Sequence, residues 1–189
     1  MDDPRDDATL LADHVAGDPK AFAILVGRHQ GRLWAIALRT MRDPEEAAEA
    51  LQEAYIHAFR RAETFRGEAK VTTWLHRIVV NASLDRIRRN KVRRTEALPD
   101  DLDRMAELAS DTVDAGDAVA AKDLQQDVAS ALAQLNPDQR AAVVLVDMEG
   151  YSVVEAAAML GCAPGTVKSR CFRARAKLAP LVAHLKGRG

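Results

Sequence analysis

Between Gly150 and Leu178 the sequence reads GYSVVEAAAMLGCAPGTVKSRCFRARAKL, and its residue types suit contact with DNA. Lys168, Ser169, Phe172 and Arg173 stand at i, i+1, i+4 and i+5, the spacing of one face of a helix. Lys and Arg pair with guanine, Ser with several bases, and a Phe ring packs on a thymine methyl, although a core aromatic would suit the same helix. Thr166 and Ser152 sit where a hydroxyl can donate to a phosphate beside a helix N-terminus. Arg170 and Arg175 fit either phosphate contacts or plain surface charge. From Gly161 onward there are seven Lys/Arg and no Asp or Glu.

The elements needed to present this face are legible beside it. Ser152 is a good N-cap, and Val153, Ala156, Ala157 and Leu160 form one apolar face of a short helix. Gly161-Cys162-Ala163 breaks that helix and Pro164 starts another. A helix, a tight turn and a cationic second helix make a helix-turn-helix, with small Ala side chains allowing close packing. The blander alternative is a helical hairpin with a solvated basic face.

A net charge of −1 conceals a strong segregation along the chain. Residues 60–94 carry 11 basic and 3 acidic side chains, residues 95–127 carry 2 and 10, and residues 161–189 carry 7 and none. Two cationic segments separated by an anionic one fit two nucleic-acid contacts joined by a tether that nucleic acid repels. In the first cationic segment, Arg77, Arg86, Arg88 and Arg89 suit phosphates, which position without specifying. Asn81 has an amide able to read a base edge, or to cap locally. Trp74 suits either a core position or a platform for a base.

The remaining composition narrows the class. Aromatic content of 4%, with Ala, Leu and Val dominant, favours helices over sandwiches or barrels. No apolar run is long enough to span a bilayer, and MDDPRDDATL is acidic where a secretory signal is basic, so a cytoplasmic protein without membrane insertion is expected. Cys162 and Cys171, nine apart, match neither CxxC nor a zinc pattern and read as small apolar residues. His14, His29, His57, His76 and His184 have no metal-ligand spacing, and no nucleophile motif or phosphate-cradling loop occurs. An enzyme, a metal or a cofactor is therefore not expected.

Helical spacing marks Leu10–Val15, then Phe22 to about Thr40 after the start signal Asp18-Pro19. Asp43-Pro44-Glu45-Glu46 places Asp at N-cap, Pro at N1 and Glu at N3, opening a helix through Leu51, Tyr55 and Phe59. Residues 64–71 read as a loop, and Thr72 or Thr73 as the start of a long helix ending in RIRRNKVRR. Residues 95–127 read as a flexible acidic linker, and Asn136-Pro137-Asp138 caps a further helix. The expected fold class is all-α, with small helical domains at 1–94 and 128–189, the second containing the helix-turn-helix. A linker spanning 95–127 reaches roughly 110 Å if extended, while two turns of DNA cover about 70 Å.

Taken together, these motifs resemble bacterial sigma factors of the extracytoplasmic-function (ECF) class over nearly the whole chain. DPEEAAEALQEAYIHAFR at 43–60 resembles the segment that grips core RNA polymerase. FRGEAKVTTWLHRIVVNASLDRIRR at 65–89 resembles the segment that melts and reads the minus-ten promoter element, and residues 135–178 the domain that reads the minus-thirty-five element. Within the class, HVAGD at 14–18, WLHRIVVNASLDRIRR and GTVKSRC are most similar to the mycobacterial sigma-M type.

The resemblance implies a core-polymerase face at Asp43, Glu46, Glu49, Gln52 and Glu53, which could otherwise be a solvated acidic helix. It implies a base-holding loop at Phe65, Arg66, Gly67 and Lys70 beside Trp74 and Asn81, and a minus-thirty-five face at Ser152, Thr166, Lys168, Ser169, Arg170, Phe172, Arg173 and Arg175. It further implies promoter opening in a stress or envelope response, with core RNA polymerase, promoter DNA and an anti-sigma factor, often membrane-bound, as partners. A ligand-sensing helix-turn-helix regulator and a polymerase-docking adaptor are the rival readings.

Overall fold

The computed structural model describes residues 3–96, 126–181 and 183, and every regular element among them is helical. Helix α1 is Asp7–Val15, α2 Ala21–Met41, α3 Pro44–Arg61 and α4 Val71–Glu96. A 3-10 turn, Ala62–Thr64, separates α3 from the loop that leads into α4. The described part of α5 covers residues 126–133, followed by α6 Pro137–Val143, a π-helical turn Val144–Met148, α7 Val153–Leu160 and α8 Pro164–Leu181. The sequence reading of a linker at 95–127 falls almost wholly outside the described residues.

Local chemistry accounts for most boundaries. The Asp43 carboxylate accepts from the backbone N–H of Glu45 at 2.8 Å and Glu46 at 3.1 Å, fixing the start of α3 ahead of Pro44. Asn136 does the same for α6 through Gln139 N–H at 2.9 Å. Ser152 and Glu155 form a reciprocal capping box at α7, which ends at Gly161 with a left-handed φ of 62°. Asp18 accepts from Lys20 N–H at 2.8 Å, so the expected start signal lies two residues ahead of the α2 N-cap, Lys20. Helix α4 begins at Val71, a residue or two before the expected threonines, and Val71 is buried. The π-helical turn has no local signal in the sequence; beyond it, Tyr151 N–H donates to the Leu145 carbonyl at 3.0 Å.

Helices α1 to α4 pack around Leu10, Leu25, Leu33, Ile36, Leu75 and Val79, all essentially inaccessible to water. Helices α5, α6 and α8 enclose Leu132, Leu135, Val143 and Ala174. These two sets do not stand apart. The first core continues into Ala141, Val144, Leu145, Ala156, Val167 and Cys171 of the second domain, so the domains share buried surface. A hint of this was present in α4, where apolar residues occur all around the helix: Leu75 and Val79 serve one side while Val80 and Leu84 are buried as well.

Candidate nucleic-acid interface

In the helix-turn-helix, α7 and α8 pack through Ala156, Ala157, Val167 and Cys171, the small residues letting the helices approach. The outer face of α8 carries Lys168, Phe172 and Arg173, all exposed. Phe172 is 75% exposed, which removes the core alternative for this ring. Arg173 lies back along its own helix, donating from Nε to the Ser169 carbonyl at 3.2 Å and from Nη2 to Ser169 Oγ at 3.1 Å. Ser169 Oγ in turn donates to the Thr166 carbonyl at 3.0 Å. The four residues therefore share one presented surface, with Arg173 and Ser169 held in a fixed relation.

The other members of the predicted set are partly engaged within the chain. Arg170 donates to Asp138 at 2.7 Å and lies 3.7 Å from Cys162 Sγ. Arg175 grips Asp147 with two bonds, at 3.0 and 2.6 Å. Ser152 is held in its capping box. Burial pushes the Cys171 thiol above its usual range, which fits the small apolar role read from the sequence.

In the first domain, the loop 65–70 exposes Arg66, Gly67 and Lys70, and Gly67 turns with φ of 71°. Phe65 and Trp74 are both half-buried, their rings 5.6 Å apart and tilted. Arg77 is exposed one turn further along α4. Arg88 pairs with Asp85 at 2.9 Å and approaches Asp138 of the second domain at 3.8 Å. Asn81 does not face solvent freely: its Nδ2 donates to the Met159 carbonyl at 3.1 Å, across the domain boundary.

Arg86 lies elsewhere than a phosphate-contact reading suggests. Its guanidinium bridges Glu46, Glu49 and Glu53 on successive turns of α3, the Glu53 bond measuring 3.0 Å. Arg89 adds a second bond to Glu53 at 2.5 Å, and Asn90 one to Glu46 at 2.8 Å. The Arg86 guanidinium holds the Glu46 carboxyl below its usual range. Three of the acidic groups expected to face a partner are thus tied to α4, while Asp43 is used as a helix cap. Besides Glu49, whose side chain stays 61% exposed, α3 presents Gln52, Ile56 at 42% and Phe59 at 55% exposure, the last three at i, i+4 and i+7. The Phe59 ring rests on His14 at 4.4 Å and Phe22 at 5.2 Å. The sequence places Phe59 with Leu51 and Tyr55 in the helix's apolar spacing; that Ile56 and Phe59 stand exposed is set by packing, which spacing does not show.

A further group missed in the sequence lies between the domains. Tyr151 Oη meets His76 Nδ1 at 2.7 Å, with His76 only 4% exposed. Burial is the main cause that drives the His76 pKa down to about 4, outweighing the attraction of Glu149. A depressed histidine favours the neutral folded form, so its contribution is complete above the unfolded value near 6.5. That contribution is lost progressively as pH falls from about 6.5 to about 4, because only the unfolded chain readily takes the proton. Unfolding midpoints measured across this window should fall more steeply with acidification in the native protein than in His76→Phe.

Among the described residues no group of His, Cys, Asp or Glu could hold a metal ion. No described helix is long and apolar enough to cross a membrane.

Residues 25–93 match the family model described as Sigma-70 region 2, and residues 125–178 match Sigma-70, region 4. The ECF RNA polymerase sigma factor SigM of Mycobacterium tuberculosis is 50% identical over 181 residues, covering 96% of this chain and 87% of the relative. Among solved structures, CnrH in complex with the cytosolic domain of CnrY has a TM-score of 0.65 at 28% identity, covering 94% of this chain and 97% of that one. The sigma factor RpoE from Bartonella quintana, in complex with the anti-sigma factor NepR, has a TM-score of 0.64 at 26% identity, covering 87% and 98%. With both regions matched in order and half of its residues shared with such a relative, the chain belongs to the ECF sigma factors of bacterial RNA polymerase.

Proposed function

We propose that this chain binds core RNA polymerase through its first domain, directs it to promoters through both domains, and promotes strand opening without covalent chemistry of its own. The first domain would span 1–94 and the second 128–189, joined by the acidic linker at 95–127. The observation that carries the reading is the outer face of α8, where an exposed Phe172 ring shares one helix face with the exposed Lys168 and Arg173. An apolar ring held in water beside cations is suited to a groove that offers both a thymine methyl and guanine acceptors. This face would read the minus-thirty-five element.

The minus-ten element would meet the loop Phe65, Arg66, Gly67 and Lys70, with Trp74 beside it, Arg77 on phosphate and Asn81 on a base edge. Pulling a base from the stack and holding it offsets the few kcal/mol that unstacking costs, which allows opening without ATP. Arg86 would act indirectly here by fixing α4 against α3. Gln52, Ile56 and Phe59 would form the centre of the polymerase contact, with the tethered Glu49 and Glu53 beside them. The protein would act in the cytoplasm, and an anti-sigma protein would restrain it, as the complex of RpoE with NepR illustrates for a relative.

Promoter binding by the chain assembled with core polymerase tests this reading across a salt series. Each phosphate contact removed lowers the magnitude of the log-affinity against log-salt slope by roughly 0.9. Lys168→Ala, which has no protein partner among the described residues, is expected to produce that change. Arg175→Ala is expected to change the slope less, because Asp147 already holds its guanidinium. Phe172→Ala should leave the slope intact and weaken discrimination at one position. Equal slopes for Lys168→Ala and the native chain, with discrimination unchanged in Phe172→Ala, would contradict a DNA-reading role for α8.

A further inference from the structure

The arginines of α8 are held in two different ways. Arg170 donates to the Asp138 carboxylate at 2.7 Å, and Arg175 grips Asp147 at 3.0 and 2.6 Å, so each faces a negative group of its own domain. Arg173 is held without a carboxylate. Its Nε donates to the Ser169 carbonyl at 3.2 Å and its Nη2 to Ser169 Oγ at 3.1 Å. Both partners are neutral, so the guanidinium is oriented while no opposite charge cancels its own.

Which edge of the planar guanidinium is engaged decides what it can still do. Nε and Nη2 form one side, and that side is taken up by Ser169. The end of the fork, Nη1 with the second N–H of Nη2, keeps two parallel donors, and among the described residues Nη1 has no protein acceptor. Two parallel donors match an acceptor pair in the major groove, which guanine offers at N7 and O6.

Ser169 is itself fixed. Its hydroxyl has one proton, which goes to the Thr166 carbonyl at 3.0 Å, three residues back along the helix. The oxygen then acts as an acceptor, and what it accepts is Arg173 Nη2. A hydroxyl engaged in this way has no proton left to give a base. Helical side chains lean toward the N-terminus, so Arg173 reaches back one turn to lie beside Ser169. This brings its guanidinium nearer the end of α8 that a helix-turn-helix inserts into the groove.

We propose that Ser169 is a positioning residue and not a base contact: its hydroxyl, with its carbonyl, holds Arg173 so that the free end of the guanidinium meets a guanine. The proposal rests on α8 reading duplex DNA. Holding a long side chain in its binding geometry beforehand removes its ordering cost from association. Loss of the hydroxyl therefore weakens base choice at one position, while the charge, and with it the salt slope, is unchanged.

In the test, the full chain assembled with core polymerase selects from a random duplex library, and bound sequences are counted position by position. Arg173→Ala identifies the position concerned, where guanine preference should fall about tenfold or more. Ser169→Ala should lower the same preference about threefold, the effect of one hydrogen bond, with the salt slope unchanged. Ser169→Thr, whose hydroxyl can bond the same carbonyl, should restore it to within about twofold. In the double variant Ser169→Ala/Arg173→Ala, the preference should be no lower than in Arg173→Ala alone. Alanine is the better helix former, so a merely structural role for Ser169 would not lower base choice.

A preference untouched by Ser169→Ala, or one that Ser169→Thr does not restore, would overturn the proposal. So would a loss in Ser169→Ala at a position that Arg173→Ala leaves intact, which would make Ser169 a base contact. If Arg173→Ala changes no preference at any position, the DNA-reading role of Arg173 on α8 fails and the proposal with it, a result distinct from the others.

Discussion

Arg140→Ala is expected to destabilise the folded chain by about 3 kcal/mol, visible as a midpoint of thermal unfolding lowered by roughly 10 °C. Arg140 is buried at the joint between α6, α5 and α2, and burial pulls its pKa down to about 10. Its guanidinium donates to the Thr40 carbonyl at 2.8 Å and, more weakly, to those of Leu135 at 3.3 Å and Leu132 at 3.5 Å. All three carbonyls lie at or near C-terminal helix ends, where a cation is favoured by the helix dipole. Truncation leaves those acceptors without a donor and opens a cavity, and both effects destabilise. Arg140→Met separates them. It refills the volume and removes the cost of burying a charge, so it should recover most of the loss, to within about 1 kcal/mol of the native chain. Equal losses in the two variants would show that the hydrogen bonds, not the packing, dominate.

Arg86→Ala carries the second largest expected effect, about 2 kcal/mol, and it discriminates between two roles. A phosphate contact would leave stability unchanged and flatten the salt slope by roughly 0.9. The structure instead gives Arg86 three carboxylates, on Glu46, Glu49 and Glu53, with the arginine side chain 15% exposed. Removing it takes away the one cation shared by the three carboxylates, leaving Glu49 without its bond and Glu46 and Glu53 with only Asn90 and Arg89. The magnitude lies between that of exposed pairs, up to about 1 kcal/mol, and buried ones at about 3 to 5 kcal/mol. Lysine cannot reproduce the planar fork, so Arg86→Lys should recover less than half of the loss. Thermal unfolding read alongside the salt slope distinguishes the roles, since the pairing role lowers the midpoint with the slope per contact unchanged.

These two arginines show where sequence reasoning stops. Helix starts are legible because their signals are local: Asp43 before Pro44, Asn136 before Pro137, Ser152 three residues before Glu155. The helix-turn-helix is legible for the same reason, since Gly161 and Pro164 punctuate it within a few residues. Ion-pair partners are not local. Arg86 lies 40 positions from Glu46, and Arg140 lies 100 from Thr40, so no periodicity connects them. A lone arginine in a basic segment therefore reads as a phosphate contact whether or not α3 supplies carboxylates. Phe172 was open between core and surface because one face of α8 had to be apolar, and only packing shows that Val167, Cys171 and Ala174 fill that role. Interdomain packing left a trace in the sequence, the apolar residues on all sides of α4, but nothing in it indicated which surface would cover Val80 and Leu84.

Start-site choice conferred on core RNA polymerase is the property most directly open to test. Purified core polymerase, which starts transcription without selectivity, would be combined with the chain and a random promoter library, and the run-off products sequenced. The chain is expected to co-elute with the polymerase, and transcripts to begin downstream of two shared sequence elements, with the upstream preference relaxed by Phe172→Ala. Co-elution failing, or products as dispersed as those of the polymerase alone, would contradict it.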